Sequence, residues 1–412
     1  MPKKTVPFSI EDIKALTEKY PTPFYIYDEK AIRENIKNFL KEFSWIEFKE
    51  YFAVKATPNP SIMQILREEG CGMDCSSMPE LILAENTGCS GMEIMFTSND
   101  TPAQEYEKAF SLGAVINVDD YSHIKDIGRR INPDSSMCLR YNPGNRRGNE
   151  IIGQLKDSKF GMSREQILKS VYELKKYGIK SIGLHTMICS NELDPKYFQI
   201  TAKNMFELAF DVSKELDVKV GFVNLGGGIG VAYREDQPQM DISELSMRIK
   251  TEYEKVLMNG MKPFSIFMEN GRYITGPYGY LVCKVIHIKE SYKKFAGVDA
   301  NMANLMRPAL YGAYHHITRI GSDSCGQTAE YDVVGSLCEN NDKFAIDRRL
   351  NCLSEGDFLV IHDAGAHGHS MGFNYNGKLR SAEFLMDSDH NFKMIRRAET
   401  LEDYFATLNF KN

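Results

Sequence analysis

The chain has 412 residues, more than one ordinary compact domain holds, so two domains or a barrel with an appendage are expected. Hydrophobic residues make up 42% and charged residues 26%, the balance of a soluble globular protein, and a formal net charge of −6 argues against general affinity for nucleic acid or anionic membrane. No apolar run approaches the roughly 20 residues that span a bilayer, and Met1-Pro2-Lys3-Lys4 leads into Ser9-Ile10-Glu11-Asp12, a helix start in place of a signal-peptide core, so a cytoplasmic protein is expected.

Pro23–Tyr27 is the first β-like segment. From about residue 48 to 272, short β-rich runs then alternate with amphipathic helical stretches. The runs are Phe48–Val54, Gly72–Cys75, Glu93–Thr97, Val115–Val118, Met137–Tyr141, Ser181–Met187, Gly221–Leu225 and Ser265–Met268. Helical spacing is clear over Ser163–Tyr177, Pro195–Glu215 and Ile242–Leu257. Eight strand–helix units in about 225 residues predict a closed (β/α)8 barrel of the TIM type. After about residue 280 strand-like runs dominate: Tyr280–His287, Tyr331–Gly335, Asp357–His362 and Ala382–Leu385. No long helix separates them, which predicts an antiparallel β domain that Pro23–Tyr27 could join. The expected division is therefore residues 1–30 with the β domain, 31–280 as the barrel, and 281–412 as a β-sandwich or β-barrel.

Nine cysteines lie between Cys71 and Cys352, with no zinc-finger spacing to nearby histidines, so neither a structural metal nor a disulfide framework is expected. Cys71 and Cys75 sit in an apolar stretch and read as reduced core residues. Cys338 differs, because Gly335-Ser336-Leu337-Cys338-Glu339-Asn340 puts a thiol beside a carboxylate, with Asp342 close by. Asn301-Met302-Ala303-Asn304-Leu305-Met306-Arg307-Pro308 and Asn374-Tyr375-Asn376 are polar islands that periodicity does not explain.

In a barrel of this kind, functional residues gather at the C-terminal ends of the strands. The first barrel strand ends in Lys55. A lysine finishing a buried strand is either snorkelling or ion-paired, or it is desolvated and able to form a Schiff base. The seventh barrel strand ends in Asn224-Leu225-Gly226-Gly227-Gly228-Ile229-Gly230, a tight turn or a backbone cradle for an anion. The eighth ends in Met268-Glu269-Asn270-Gly271-Arg272, whose Glu269 either closes a structural ion pair or holds a pyridine nitrogen protonated. Lysine, glycine loop and glutamate converging on one rim are what a pyridoxal-phosphate (PLP) site requires.

With those residues in place the chain resembles the fold-type III PLP-dependent decarboxylases, and among them the diaminopimelate decarboxylase branch. The likeness rests on Tyr51-Phe52-Ala53-Val54-Lys55-Ala56, Leu225-Gly226-Gly227-Gly228, Glu269-Asn270-Gly271-Arg272, Met306-Arg307-Pro308-Ala309-Leu310-Tyr311, Leu337-Cys338-Glu339 and Asn374-Tyr375-Asn376. It runs from Thr22-Pro23-Phe24-Tyr25 to Arg396-Arg397-Ala398-Glu399-Thr400. The resemblance implies a homodimeric carboxy-lyase that converts meso-2,6-diaminopimelate to L-lysine and CO2. Lys55 would hold PLP covalently and Glu269 would pair with its ring nitrogen. Gly226, Gly227, Gly228, Gly271, Arg272 and Tyr375 would surround the phosphate or a nearby carboxylate. Cys338 of the second subunit would protonate the α-carbon. Arg272, Arg307 and Tyr311 would hold the distal carboxylate of a diamino dicarboxylic acid, and Glu339 its distal ammonium. Substrates of ornithine and arginine decarboxylases lack that carboxylate, so Arg307 beside Tyr311 discriminates.

Two stretches depart from the family pattern. Where the family has His-x-His-x-Gly-Ser this chain has His185-Thr186-Met187-Ile188-Cys189-Ser190, with Met187 in place of a ring-stacking histidine. The usual Gly-Ala-Tyr is Gly365-Ala366-His367. A sister decarboxylase acting on carboxynorspermidine, a catalytically silent homologue and an amino-acid racemase are the competing readings. Lys55, Glu269 and Cys338 kept together weigh against silence, and the Cys338-Glu339 pair weighs against a racemase.

Overall fold

The structure is a computed structural model that describes residues 4–144, 153–321 and 326–410. Met1–Lys3 of the expected N-terminal start and the ninth cysteine, Cys325, lie outside the described residues. Two compact units are present: one takes in Met1–Ile32, Ala232–Pro238 and Thr275–Asn412, the other Arg33–Val231 and Gln239–Ile274.

The first unit opens with a helix, Ile10–Thr17, whose Ser9 cap and Asp12 form the reciprocal capping box that the sequence announces. Strand β1 (Phe24–Asp28) follows and takes a central place in a nine-stranded sheet. The second unit is a closed parallel barrel of β2 (Phe48–Ala53), β3 (Gly72–Cys75), β4 (Ile94–Thr97), β5 (Val115–Val118), β6 (Met137–Arg140), β7 (Ser181–His185), β8 (Lys219–Asn224) and β9 (Ser265–Met268). These are the eight runs expected from the sequence. They read as continuous apolar segments because a barrel strand is covered on both faces. The three expected helices form as Arg164–Lys176, Pro195–Leu216 and Ile242–Met258, each with a Ser or Asp side chain capping its first turn.

Tyr51, Met95, Val115, Cys138, Phe222 and Phe267, drawn from six strands, form a buried cluster of the barrel. Rings this large need small neighbours. A Cβ on Gly72 would sit 2.6 Å from the Tyr51 ring, and one on Gly183 would land inside the Phe222 ring, which stacks on Phe267 at 4.4 Å.

The remaining strands are β10 (Gly279–Glu290), β11 (Lys294–Val298), β12 (Ile317–Ile320), β13 (Thr328–Val334), β14 (Lys343–Asn351), β15 (Phe358–Ile361), β16 (Ala382–Met386) and β17 (Phe392–Arg396). Their order is β14-β13-β11-β10-β1-β16-β17, with β15 bridging β10 and β12. The sheet is mixed: β1 pairs antiparallel with β10 but parallel with β16, and β11 pairs parallel with β13. A purely antiparallel sheet was the expectation, and the two parallel pairings correct it. Because β10 begins at Gly279, the sheet starts ahead of the expected cut at residue 280. Residues 232–238, expected within the barrel, cluster with the β unit. The core of this unit packs Phe8, Ile13 and Leu16 of the N-terminal segment on Phe24, Ile26, Tyr280, Val282, Phe358, Val360 and Phe384.

Gly183→Ala is expected to overpack the barrel and destabilise it by about 1–3 kcal/mol, read as a lower thermal midpoint. Adding Phe222→Leu should recover part of the loss. An unchanged midpoint in the single variant would show that Phe222 moves aside freely.

Candidate active site

Parallel strands all deliver their C-terminal ends to one rim, and here nearly every barrel strand ends in a polar side chain. Lys55 lies in the tight turn Val54–Ala56 after β2, and Asp74 lies in β3. Thr97, Arg140, His185 and Asn224 are the last residues of β4, β6, β7 and β8, and Glu269 follows β9. Asn117 in β5 completes the set.

Glu269 is the centre of this rim. Its Oε1 accepts from the Asn224 side-chain amide at 2.6 Å and, more distantly, from the Thr97 hydroxyl at 3.5 Å. The Thr97 hydroxyl accepts in turn from the Asn117 amide at 3.2 Å. Its Oε2 lies 3.0 Å from Nε2 of His185, which is wholly buried. A carboxylate only accepts, so Nε2 carries the hydrogen in this pair. Burial alone would raise the pKa of Glu269. The charge and hydrogen bond of His185, the Lys55 ammonium and the Asn224 amide outweigh burial and hold the carboxyl below its ordinary value.

Lys55 Nζ stands 3.6 Å from Oδ2 of the buried Asp74. The lysine side chain is 54% exposed, so the desolvated lysine considered from the sequence is not what the fold provides. Lys55 offers instead an accessible amine beside a buried acid. Burial, and then the neighbouring Glu269 charge, push the Asp74 carboxyl well above its ordinary value, with Lys55 opposing.

The glycine loop follows β8. Gly226 and Gly228 have φ of 68° and 105°. A Cβ on Gly226 or Gly227 would strike the Thr186 or Glu269 carbonyl, and one on Gly228 would lie 2.6 Å from the Cys189 carbonyl and sulfur. Only glycine fits all three positions. Most loop amides are already engaged: Gly226 N donates to Asn224 Oδ1 (2.8 Å), Gly227 N to Met187 Sδ (3.2 Å), Ile229 N to Asn270 Oδ1 (3.2 Å) and Gly230 N to the Glu192 carbonyl (2.9 Å). Among the described residues the Gly228 N–H makes no such bond. After Glu269, Asn270 donates both its backbone and side-chain N–H groups to the buried Glu50, whose pKa burial raises. Gly271 packs so tightly that a Cβ would sit 2.6 Å from that of Ala56, beside Lys55. Arg272 is half-buried and starts the next short helix.

The barrel unit therefore brings together Lys55, Gly226, Gly227, Gly228, Glu269, Gly271 and Arg272. Among the described residues, buried side-chain atoms on its strands are left without a hydrogen-bond partner, namely Asp74 Oδ1, Asn117 Oδ1 and His185 Nδ1. Unpartnered buried polar atoms fit a polar ligand, and a cradle that no side chain can enter, with the Gly228 N–H open, fits an anionic group on it, as in a pyridoxal phosphate.

The other candidates lie in the β unit. Arg307 and Tyr311 begin and end a one-turn helix; Arg307 is buried and Tyr311 is 62% exposed. The Arg307 guanidinium lies 4.6 Å over the Tyr233 ring and donates to Nε2 of His315 at 2.9 Å, while Nδ1 of His315 faces the His362 carbonyl at 2.8 Å. The exposed Cys338 is tied to the Tyr375 loop by a 2.7 Å bond from its backbone N to Asn376 Oδ1. Asp342 accepts from the Leu337 and Met302 amides, joining this loop to the 301–305 turn that leads to Arg307. Glu339 Oε1 caps Asn341 N at 3.0 Å. The thiol, the Tyr375 island and the Asn301–Pro308 island thus form one connected set of loops. His367 adopts φ of 54°.

Asp74, Thr97, Asn117, His185 and Asn224 were not singled out from the sequence. Each lies at or near the end of a barrel strand, so the rule that exposed Lys55 and Glu269 would have found them. Glu50 carried no signal, since an acid inside a strand reads as a solvent-facing residue until the barrel closes.

In the ligand-free protein the raised Asp74 carboxyl has a stability consequence. A raised folded-state pKa stabilises fully below the ordinary value of 3.8, and that contribution is lost as pH rises through the raised one. Asp74→Asn should therefore lose less stability than the wild type from about pH 5 to about pH 8, measured by thermal melts across pH. Parallel melting curves would mean that Asp74 is ionised in the folded chain.

Comparison with known proteins agrees with this geometry. The family model for the pyridoxal-dependent decarboxylase, pyridoxal binding domain, matches residues 29–276. Protein TabA of Pseudomonas amygdali pv. tabaci is 40% identical over 96% of this chain and 93% of its own. Diaminopimelate decarboxylase of Methanothermobacter thermautotrophicus is 34% identical over 97% of this chain and 94% of its own. The crystal structure of diaminopimelate decarboxylase from M. jannaschii with L-lysine superposes with a TM-score of 0.90 at 30% identity, covering 96% of this chain and 94% of that one. Since the family match runs through every strand of the barrel and each relative spans almost the whole chain, this protein belongs to the pyridoxal-dependent decarboxylases.

Proposed function

We propose that the protein decarboxylates meso-2,6-diaminopimelate to L-lysine and CO2, as a cytoplasmic homodimer. The observation that carries this reading is likeness over nearly the full chain to diaminopimelate decarboxylases, one of them solved with L-lysine. No helix among the described residues is long and apolar enough to cross a membrane.

When bound, pyridoxal phosphate supplies an electron sink for the pair left behind as CO2 departs. The chain's own residues then divide the work. Lys55, the accessible amine on the rim, holds the cofactor covalently. Glu269, kept anionic by His185 and Asn224, holds a proton at the pyridine nitrogen. Gly226, Gly227, Gly228, Gly271, Arg272 and Tyr375 surround the phosphate or a nearby carboxylate. Arg272, Arg307 and Tyr311 take the distal carboxylate, where a guanidinium fork oriented in advance binds best. Glu339 takes the distal ammonium. Cys338 and Glu339 act on the barrel of the neighbouring subunit, where Cys338 delivers a proton to the α-carbon.

A second reading, a sister decarboxylase with another amino-acid substrate, is favoured by Met187, Cys189 and His367, where the chain departs from the family pattern. One assay separates the two. Cofactor-loaded enzyme with meso-diaminopimelate should yield L-lysine by mass spectrometry, with no product from ornithine, arginine or carboxynorspermidine. Turnover of any of those in place of diaminopimelate would overturn the substrate assignment. Cys338→Ala should keep the cofactor's absorbance band and slow turnover about 10²–10⁴-fold. Unaltered turnover would remove Cys338 from the proton transfer.

A further inference from the structure

Two sulfur atoms hold one glycine of the loop after β8. The Gly227 N–H donates to Met187 Sδ at 3.2 Å, and the Gly227 carbonyl accepts from Cys189 Sγ at 3.8 Å. The strand-end segment that carries both sulfurs runs alongside the loop. Glu192 N donates to the Gly228 carbonyl and Gly230 N donates back to the Glu192 carbonyl, each at 2.9 Å. The Cys189 sulfur also closes on Gly228, where an added Cβ would lie 2.6 Å from it. Cys189 is 3% exposed, and burial pushes its thiol pKa up, so the group stays an S–H donor at neutral pH.

The geometry of the peptide bond gives this grip its meaning. The Gly227 carbonyl and the Gly228 N–H belong to one planar unit and point in opposite directions. Pinning the oxygen fixes where the N–H aims, and the Gly228 N–H is the amide of the loop left without an acceptor among the described residues. Met187 takes the other end of the preceding peptide, whose Gly226 carbonyl accepts from the Glu269 amide at 2.9 Å, and so completes the hold on both sides of Gly227. Thioether and thiol are weak hydrogen-bonding groups, yet in a run of glycines, which has no side chains to pack, weak contacts decide orientation.

We propose that Met187 and Cys189 are positioning residues that aim the Gly228 N–H at the cofactor's phosphate. This rests on reading Gly226–Gly228 as the phosphate cradle. It assigns the two substitutions within the His185–Ser190 stretch a single task, setting the loop rather than meeting the reacting atoms.

The test measures affinity of the cofactor-stripped full chain for pyridoxal phosphate and for pyridoxal, which lacks the phosphate. The wild type should prefer pyridoxal phosphate strongly. Cys189→Ala and the nearly isosteric Met187→Leu should each cut that preference roughly three- to tenfold, the scale of one lost hydrogen bond, leaving pyridoxal affinity unchanged. Cys189→Ser and Met187→Gln, which restore a donor and an acceptor, should return most of it. A wild type without preference would sink the cradle and the proposal together. A strong preference that neither variant alters, or equal weakening for both ligands, would leave the cradle standing and overturn the proposal. Should Cys189→Ala fail to fold, Met187→Leu against Met187→Gln decides alone.

Discussion

A carboxylate sealed inside a protein must be surrounded by donors or it takes up a proton, and Glu269 shows how much structure that demand recruits. Its two oxygens are met by side chains from β4, β7 and β8, and Thr97 is itself oriented by Asn117 from β5. The groups that keep the charge in place come from strands far apart in the chain, and only barrel closure brings them to one point. The strand order therefore determines the electrostatics of the site. Asp74, a few residues along the same rim, lacks such a set of donors, and there burial prevails. Two neighbouring acids on one scaffold are pushed in opposite directions by their partners alone.

The glycine loop is tied to the same carboxylate. Gly226 accepts from the Glu269 amide at 2.9 Å and donates to Asn224, whose side chain holds the Glu269 carboxylate. Asn270 links the loop, through Ile229, to Glu50 inside the first barrel strand. A shift of the loop is therefore a shift of the acid. In the β unit the equivalent economy is in Asp342, whose one carboxylate holds the thiol-bearing loop and the turn before Arg307.

Much of this was legible before any coordinates. Barrel strands announce themselves as short apolar runs because both faces are covered, and all eight formed where expected. The β unit was legible only in its interior. Four of its strands were missed. The five-residue β11 lies inside the sheet between β10 and β13, and β12 pairs with β15, whereas β14 reads Lys-Phe-Ala-Ile-Asp-Arg-Arg-Leu-Asn and sits at one edge of the sheet, and β17 sits at the other. Edge strands carry charge, which hides the periodicity used to find them. The parallel pairing of β1 with β16 was invisible because it joins segments more than 350 residues apart. At the site, Lys55 and Glu269 stood out because a charge ending an apolar run is anomalous, whereas His185 and Asn224 stood inside noted motifs without a role of their own, since what they hold is visible only once the barrel closes. The exposure of Lys55 could not be read at all, since it depends on how the turn after β2 leaves the barrel wall.

The central place of β1 bears on how the molecule is made. Phe24 pairs with Val282 on one side and Ala382 on the other. In chain order β1 precedes every barrel strand, yet both of its partners, β10 and β16, follow them. The barrel, drawn almost wholly from one continuous stretch, has its strands available much earlier. The apolar β1 is thus covered on both sides only by segments synthesised after the barrel, so a chain interrupted ahead of β10 leaves it without either neighbour.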